Sequence, residues 1–367
     1  MKTTVVVVLI VALAAGIAFW WRYKHETIVM KPAVQVIVEI EDDLGRKVPD
    51  GFAGSVVLSQ DGAILLDMGY GLADRAAARP VSPATGFDIG SLVKPFTAIA
   101  ILKLETMGKL RRSDSIARYL PGVPPDKTPI TIQHLLTHTS GLPDIVGPSS
   151  NPLEYTPDFD YVPVTRDEIV RRAIHAKLRS APGAKEAYSN LGYSLLGAIV
   201  DITSGMPYEA FVNATIFRPA SMTRTGYLIP GWKKAELAVG YQGGKAWGTP
   251  LDHPWLPDGP SWNLRANGGM LSTAEDLHRF LLALGRGTLL TPAENAAFTE
   301  LFVHRNARGA RTLGAAGSND IFDACYLWYL DEHRILVMLT SSDRFRAEKI
   351  VPALARSMRS IKTRGGT

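Results

Sequence analysis

The stretch that decides the fold is the eight-residue segment Phe87-Asp88-Ile89-Gly90-Ser91-Leu92-Val93-Lys94. It leads from a turn into a predicted helix over residues 92–109, where apolar side chains recur at helical spacing. Those side chains are Phe96, Ala100, Leu104 and Met107, and they are predicted to face inward. Serine and lysine three residues apart lie on one face of a helix. Ser91 and Lys94 are therefore predicted to be neighbours at the start of this helix.

The Ser91–Lys94 pair has the chemistry of an activated nucleophile. A serine hydroxyl is a weak nucleophile and needs an adjacent base. A lysine can be that base only if burial or nearby positive charge lowers its pKa. The helix N-terminus adds backbone N–H groups and a positive dipole at the reacting centre. On its own, however, such a pair is also typical of a capping serine beside a solvated lysine, so a function needs further motifs.

A second motif, Tyr188-Ser189-Asn190, supplies further polar side chains. A tyrosine near a lysine ammonium can have its phenolate favoured and so can relay protons. Asn190 could hydrogen bond both Lys94 and an acyl amide. Tyr193 competes for the tyrosine role, but only Tyr188 has an asparagine two residues on. The alternative is a polar turn that enters a helix near Leu191.

Both ends of the chain predict strands around a helical middle. Two apolar runs flank Asp61-Gly62, which is a strong hairpin signal. Two further strands are predicted near the other end, and Thr273 is a candidate cap for a helix between them. The predicted segments are strands at 54–59, 63–71, 323–329 and 334–340 and an amphipathic helix at 346–361. This order predicts a sheet built from both termini, with the helical part inserted.

The composition excludes several classes of protein. With 367 residues, 46% of them hydrophobic and 20% charged, the chain can bury a large core and is not typical of disorder. A net charge of +5 without a basic run does not indicate nucleic-acid binding. Cys325 is the only cysteine, so no disulfide forms within the chain, and a buried thiol is predicted. No metal-binding motif occurs, so neither a metal nor another cofactor is predicted.

The N-terminal end predicts a membrane segment. Residues 3–21 are uncharged and mostly Val, Leu, Ile and Ala, and at about 1.5 Å per residue they would span a bilayer. A cleaved signal peptide is the alternative, with Ala12-Leu13-Ala14 as a weak cleavage site. The apolar run continues past that site, which favours an uncleaved anchor. We therefore divide the chain into an anchor or signal segment at 1–27, a linker at 28–50 with a short extended stretch at 34–40, and a catalytic domain at 51–362.

Over about residues 50–345 the chain resembles the beta-lactamase-related serine hydrolases, the group that includes class C beta-lactamases, penicillin-binding proteins and esterases. The resemblance rests on several motifs in order. They are Phe87-Asp88-Ile89-Gly90-Ser91, residues 102–110, Ile132-Gln133-His134-Leu135-Leu136-Thr137-His138-Thr139-Ser140-Gly141-Leu142, Tyr188-Ser189-Asn190 and Asn267-Gly268-Gly269-Met270-Leu271-Ser272-Thr273.

The resemblance implies an α/β (α+β) fold, with an antiparallel sheet flanked by helices, an inserted helical domain and the site between them. It implies that Ser91 is acylated, that Lys94 and Tyr188 handle protons, and that Asn190 positions the acyl group. The Ser91 N–H would form half of an oxyanion hole. The family uses the stretch with His134 and His138 structurally, so no metal or catalytic role is expected there. This chemistry, rather than the flanking charges, places the domain outside the cytoplasm, either anchored or secreted after cleavage.

The third motif of the family departs from the pattern. The family has Lys-Thr-Gly or His-x-Gly, and this chain has Ala315, Ala316 and Gly317. A substrate carboxylate would lose its cation, whereas the Ser318 N–H could still complete the oxyanion hole. Gly317 and Ser318 are therefore expected to bind substrate, and neutral esters or amides should suffer least. Arg308 or Arg311 could supply a replacement charge.

Three functions are compatible with these residues. The first is a serine hydrolase that forms an acyl-enzyme at Ser91 on an ester, amide or beta-lactam. The second is a non-catalytic ligand-binding protein that lost turnover with its third motif. The third, a membrane protein that only docks a partner, has no positive support. The expected partners are an acyl substrate and the membrane, through residues 3–21, but no nucleic acid, and the sequence leaves the oligomeric state open.

Overall fold

The computed structural model describes residues 53–144, 162–306 and 309–341, together with residues 35, 39, 42, 357 and 358. The predicted membrane segment at 3–21 lies outside these residues, as do most of the predicted linker and most of the predicted helix at 346–361. Gln35, Glu39 and Asp42 are helical, so the extended stretch predicted at 34–40 is wrong at Gln35 and Glu39. Within the described ranges, no helix is both long and apolar enough to cross a bilayer.

A six-stranded antiparallel sheet is built from both ends of the described chain, in the order β2-β1-β12-β11-β10-β9. Its strands are β1 (Gly54–Gln60), β2 (Ala63–Tyr70), β9 (Val303–Arg305), β10 (Arg311–Ser318), β11 (Asp323–Tyr329) and β12 (Arg334–Thr340). Strand β1 pairs with β12 from Gly54 opposite Thr340 to Gln60 opposite Arg334. The predicted sheet from both termini is therefore confirmed.

The first hairpin turns where the sequence predicts it. Asp61 and Gly62 both have positive φ, at 54° and 79°. Aspartate and glycine tolerate this left-handed backbone, and it matches the twist of the flanking strands. Short two-stranded pairs complete the strand inventory of the described residues: β3 (Leu72–Asp74) with β4 (Arg79–Pro80), β5 (Phe87–Asp88) with β8 (Leu271–Ser272), and β6 (Gly240–Gln242) with β7 (Lys245–Gly248).

The α-helices that the structure describes along their whole length lie between β5 and β9. They are α1 (Lys94–Thr106), α2 (Ile132–Leu136), α3 (Arg166–His175), α4 (Asn190–Ser204), α5 (Tyr208–Val212), α6 (Ala274–Gly285) and α7 (Pro292–Phe302). Short 3-10 turns lie at Gly90–Val93, Ile116–Arg118, Lys234–Glu236, Pro250–Asp252 and Leu330–Glu332, and one π-helical turn lies at Asn213–Phe217. The predicted cap of α6 is present, because the Thr273 side chain accepts a hydrogen bond from the Asp276 backbone N–H.

Helix α1 lies in the core, with residues 94–102 all buried, and it packs against α4 and α7. Phe96 is fully buried, and its ring meets Phe217 and Phe280 edge to face at centroid distances of 5.1 and 4.8 Å. Burying one such side chain contributes roughly 1.5–3 kcal/mol. The helix ends at Thr106, so Met107 becomes its C-cap and is 52% exposed. The prediction that Met107 faces inward is therefore wrong.

A buried histidine joins α6 to the sheet. His278 Nε2 lies 2.7 Å from Ser59 Oγ on β1, and the histidine is 4% exposed. Burial lowers the pKa of His278 to about 4, and Arg279 and Arg286 act in the same direction. An ordinary histidine, as in the unfolded chain, titrates near 6.5. Between these values the unfolded chain binds more protons than the folded chain, so stability falls as the pH falls through that window.

We expect His278→Gln to make the fold less sensitive to acid. Glutamine can hydrogen bond Ser59 but cannot be protonated, so between about pH 7 and pH 4.5 the variant should lose about 2–3 kcal/mol less unfolding free energy than the wild type. Urea unfolding at both pH values measures this difference. His304→Gln, at an exposed histidine on β9, is the matched control and should follow the wild type. Equal acid sensitivity of all three proteins would contradict the assignment.

Candidate active site

The turn that presents Ser91 is fixed by a buried aspartate. Asp88 Oδ1 accepts a hydrogen bond from the Gly90 N–H at 2.7 Å, and its Oδ2 accepts one from Asn319 Nδ2 at 3.0 Å. Gly90 has a φ of +47°, and an added Cβ would lie 2.8 Å from the Ser318 nitrogen. Glycine is therefore required there on two counts, backbone conformation and space. Ser91 follows in the 3-10 turn that leads into α1.

Lys94 Nζ is held by three acceptors from separate parts of the chain. The distances are 2.9 Å to Ser91 Oγ, 2.7 Å to Asn190 Oδ1 and 2.9 Å to the backbone oxygen of Asn267. Lys94 is only 4% exposed, and burial disfavours the charged form of a lysine. The two asparagine oxygens can only accept, so they orient two N–H groups of the lysine. The third contact of the Lys94 nitrogen is with Ser91 Oγ.

Tyr188 lies on the other side of the serine. Its hydroxyl is 2.6 Å from Ser91 Oγ, whereas the Tyr193 hydroxyl donates to the Leu136 backbone oxygen at 3.1 Å. Although 48% of Tyr188 is exposed, surrounding protein raises its pKa to about 12. The Ser91 hydrogen bond opposes this shift and the Asp144 carboxylate adds to it. Burial therefore favours the neutral phenol of Tyr188 and opposes the effect of a nearby lysine ammonium, which can favour the phenolate.

Asn190 is oriented by a carboxylate that sequence reasoning missed. Asp144 Oδ1 accepts a hydrogen bond from the Asn190 backbone N–H at 2.8 Å, and the Asn190 side chain also hydrogen bonds Asp144. A carboxylate can only accept, so the Asn190 amide turns its NH₂ group to Asp144 and its oxygen to Lys94. Burial raises the pKa of Asp144, while the Asn190 hydrogen bonds and Lys94 lower it. No local signal marked this aspartate.

Strand β10 packs its backbone directly against the nucleophile. A Cβ added at Gly317 would lie 2.3 Å from Ile89 O and 2.5 Å from the Ser91 nitrogen, so this contact requires glycine. Ser318 follows, and its nitrogen lies beside Gly90. Side chains alternate along a strand, so Ala315 shares the face of Gly317. The predicted substrate-binding residues Gly317 and Ser318 are thus adjacent to Ser91.

The candidate replacement cation on β10 lies elsewhere. Arg311 is bound by Asp331, with 2.7 Å between Arg311 Nε and Asp331 Oδ1. It precedes Gly317 by six residues, or about 20 Å along a strand. Arg308 lies outside the described residues. Arg311 therefore does not replace the positive charge that is missing at position 315.

The remaining histidine and cysteine candidates have structural positions. The His134 ring accepts from the Thr131 backbone N–H and completes a capping box at α2. Cys325 is buried, and burial raises the pKa of its thiol to about 12. In the described part of the chain, no group of three or more His, Cys, Asp or Glu side chains could hold a metal ion.

Comparison with known proteins identifies the family. The beta-lactamase family model matches residues 46–349. The chain belongs to the beta-lactamase family. Its curated relatives include penicillin-binding protein 4* of Bacillus subtilis, which is 37% identical over 187 residues, covering 50% of this chain and 39% of that protein. Esterase EstB of Burkholderia gladioli is 34% identical over 198 residues, covering 52% of this chain and 50% of that protein.

Solved structures support the fold of this beta-lactamase family member. The octameric penicillin-binding protein homologue from Pyrococcus abyssi superposes with a TM-score of 0.73 at 24% identity, over 89% of this chain and 77% of that one. The predicted antiparallel sheet with flanking helices of the beta-lactamase and transpeptidase type is therefore confirmed. The chain spans about half the length of the curated relatives it matches.

Proposed function

We propose that this protein is a serine hydrolase that forms an acyl-enzyme at Ser91. The observation that carries the proposal is the double contact of Ser91 Oγ, 2.9 Å from Lys94 Nζ and 2.6 Å from the Tyr188 hydroxyl. A base and a second proton-transfer group within hydrogen-bond reach are what a serine nucleophile needs. Membership of the beta-lactamase family supports the same chemistry.

The proposed reaction begins with neutral Lys94. With two N–H groups bound to Asn190 and Asn267, the lone pair of the amine accepts the Ser91 proton as Oγ attacks the acyl carbonyl. The neutral phenol of Tyr188 gives its proton to the leaving oxygen or nitrogen and recovers one from Lys94. A water molecule then attacks the acyl carbon of the acyl-enzyme, and its proton passes through the same groups to Ser91 Oγ. The bond between Oγ and the acyl carbon breaks, which releases the acid and restores the serine.

Backbone groups are proposed to stabilise the oxyanion. The N–H groups of Ser91 and Ser318 flank the Gly90–Gly317 contact, and two preorganised donors at a developing oxyanion strongly lower a barrier. Neither donor depends on a side chain, so the changes at Ala315 and Ala316 leave them in place.

Uncharged acyl esters are the proposed substrates. A substrate carboxylate beside β10 would meet the methyl group of Ala315 instead of a cation, which removes a charge-assisted hydrogen bond. The esterase among the relatives supports this choice, whereas the penicillin-binding relative favours the alternatives, an amide or a beta-lactam.

A fluorophosphonate probe should label the wild-type protein, because this reagent traps activated serine nucleophiles. Ser91→Ala should abolish both the label and the hydrolysis of a short-chain p-nitrophenyl ester, without loss of folding. Gel fluorescence and ester turnover measure the two effects. Absence of label and turnover in the wild type would overturn the proposal and favour the ligand-binding alternative. Labelling of Ser91→Ala would place the nucleophile elsewhere.

A lysine at position 315 should restore recognition of a carboxylate. Ala315→Lys should raise kcat/KM for a carboxylate-bearing ester relative to its methylated analogue by about tenfold, the effect of one charge-assisted hydrogen bond of about 1.5 kcal/mol. Ala316→Lys adds the same charge to the opposite face of β10 and is the matched control. An equal rise in both variants would show only long-range attraction, and no rise in either would refute the role given to position 315.

We further propose that residues 3–21 anchor the protein, with its catalytic domain outside the cytoplasm. The apolar length of that segment supports an anchor, and secretion after cleavage is the alternative. After expression of the full chain, carbonate extraction should leave the protein in the membrane pellet, because a spanning helix resists it. Recovery of a shortened chain in the soluble fraction would favour cleavage instead.

A further inference from the structure

His138 contacts the tyrosine of the proposed mechanism. Its ring stacks on the Tyr188 ring with a centroid distance of 4.7 Å and an interplanar angle of 29°. It also lies 5.1 Å from the Tyr193 ring. Lys94 Nζ lies over the same two tyrosine rings, 4.8 Å from the Tyr188 centroid and 5.6 Å from that of Tyr193. Tyr188 is nearly half exposed, and the stacked His138 ring packs against one face of it.

His138 also holds the backbone on both sides of Tyr188. Its Nδ1 accepts from the Ser189 N–H at 3.1 Å, and its carbonyl oxygen accepts from the Ala187 N–H at 2.8 Å. The Ser189 hydroxyl in turn donates to the Pro143 backbone oxygen at 2.9 Å. The residue before the tyrosine and the residue after it are thus bound to one histidine.

The backbone of His138 is in an uncommon conformation. Its φ is +56°, in the left-handed region that costs a residue with a Cβ about 1 kcal/mol or more. Such a conformation persists only where surrounding contacts favour it. The contacts that favour it here are those of His138 with Ala187, Tyr188 and Ser189.

The imidazole is neutral in this arrangement. Because Nδ1 accepts a backbone hydrogen bond, it carries no proton, and the neutral ring holds its proton on Nε2. Burial, together with a smaller effect of positive charge on Lys94, lowers the pKa of His138 to about 4. Lys94 is the charged group whose field acts on the ring. The ring therefore supports Tyr188 without placing a second cation beside Lys94.

His134, by contrast, has only a local structural role at the start of α2. His134 Nδ1 accepts a hydrogen bond from the Thr131 N–H, three residues away, at 3.2 Å. Its other contact is with Gly183, whose added Cβ would lie 3.2 Å from His134 Nε2. His138 instead reaches 51 residues along the chain to the segment that carries Tyr188.

We propose that His138 is a positioning residue that holds the Tyr188 hydroxyl against Ser91 for proton transfer. The proposal rests on the acyl-transfer function proposed above, because Tyr188 needs its geometry only if it moves protons. A general acid–base group contributes about 10²–10⁴-fold to a rate, and a displaced hydroxyl forfeits part of that factor. His138 acts only through Tyr188 and does not touch the substrate.

A double-mutant cycle tests this role. His138→Asn keeps a residue that tolerates positive φ but removes the stacked ring. In the wild-type background we expect kcat for a p-nitrophenyl ester to fall about tenfold or more, with KM changed by less than about threefold. In the Tyr188→Phe background the same substitution should lower kcat by less than about twofold, because the hydroxyl it positions is already absent. A structural defect would lower kcat equally in both backgrounds.

Two further variants serve as controls for this cycle. His134→Asn is the matched control and should leave kcat unchanged, since that ring contacts no part of Tyr188. His138→Phe restores a stacked ring without the Nδ1 acceptor and should retain more kcat than His138→Asn. It also keeps the test open if the asparagine variant fails to fold.

The outcomes separate the two proposals. Unchanged kcat in His138→Asn, or an equal loss in both Tyr188 backgrounds, would overturn the positioning role while leaving the hydrolase function intact. A wild-type protein that shows neither labelling nor turnover would overturn both.

Discussion

The capture of a buried lysine by three acceptors is the constraint on which the site depends. Lys94 Nζ contacts Ser91, Asn190 and the Asn267 backbone oxygen. These acceptors come from the 3-10 turn before α1, the start of α4 and the turn before β8. A buried ammonium or amine without such partners would be costly. Three separate segments of the chain must therefore meet at one point, and that point is where the serine lies.

The same requirement explains why backbone atoms carry so much of the site. The Asn267 acceptor is a carbonyl, the proposed oxyanion donors are N–H groups, and the contact of Gly317 with Ser91 leaves no space for a Cβ. Replacing side chains does not remove these backbone groups, provided that β10 stays in the same position relative to Ser91. The Asp88–Asn319 hydrogen bond joins the loop after β10 to the turn before Ser91 and helps to keep it there.

Much of the fold could be predicted from the sequence, because its signals are local. Asp61-Gly62 set the first hairpin, and the two terminal strands were marked by their apolar runs, at the bounds the structure has for β11 and β12. Met107 was predicted to face inward, yet helical periodicity cannot show where the helix ends. In the site, Ser91, Lys94 and Tyr188 follow from motifs, whereas the Asn267 oxygen and the Asp144 carboxylate do not, because convergence of distant segments leaves no local pattern.

The altered third motif and the neutral phenol together shape the reaction we propose. A basic side chain at position 315 would have added a second positive charge near Lys94 and Tyr188, and like charges disfavour one another's protonation. With Ala315 in its place, that second charge is absent, and Asn190 hydrogen bonds both Lys94 and Asp144. Burial raises the pKa of Tyr188, and no cation at position 315 opposes that effect. Base function then falls to Lys94, and Tyr188 is left to pass protons as a neutral group, a task that depends on where its hydroxyl is held more than on its charge.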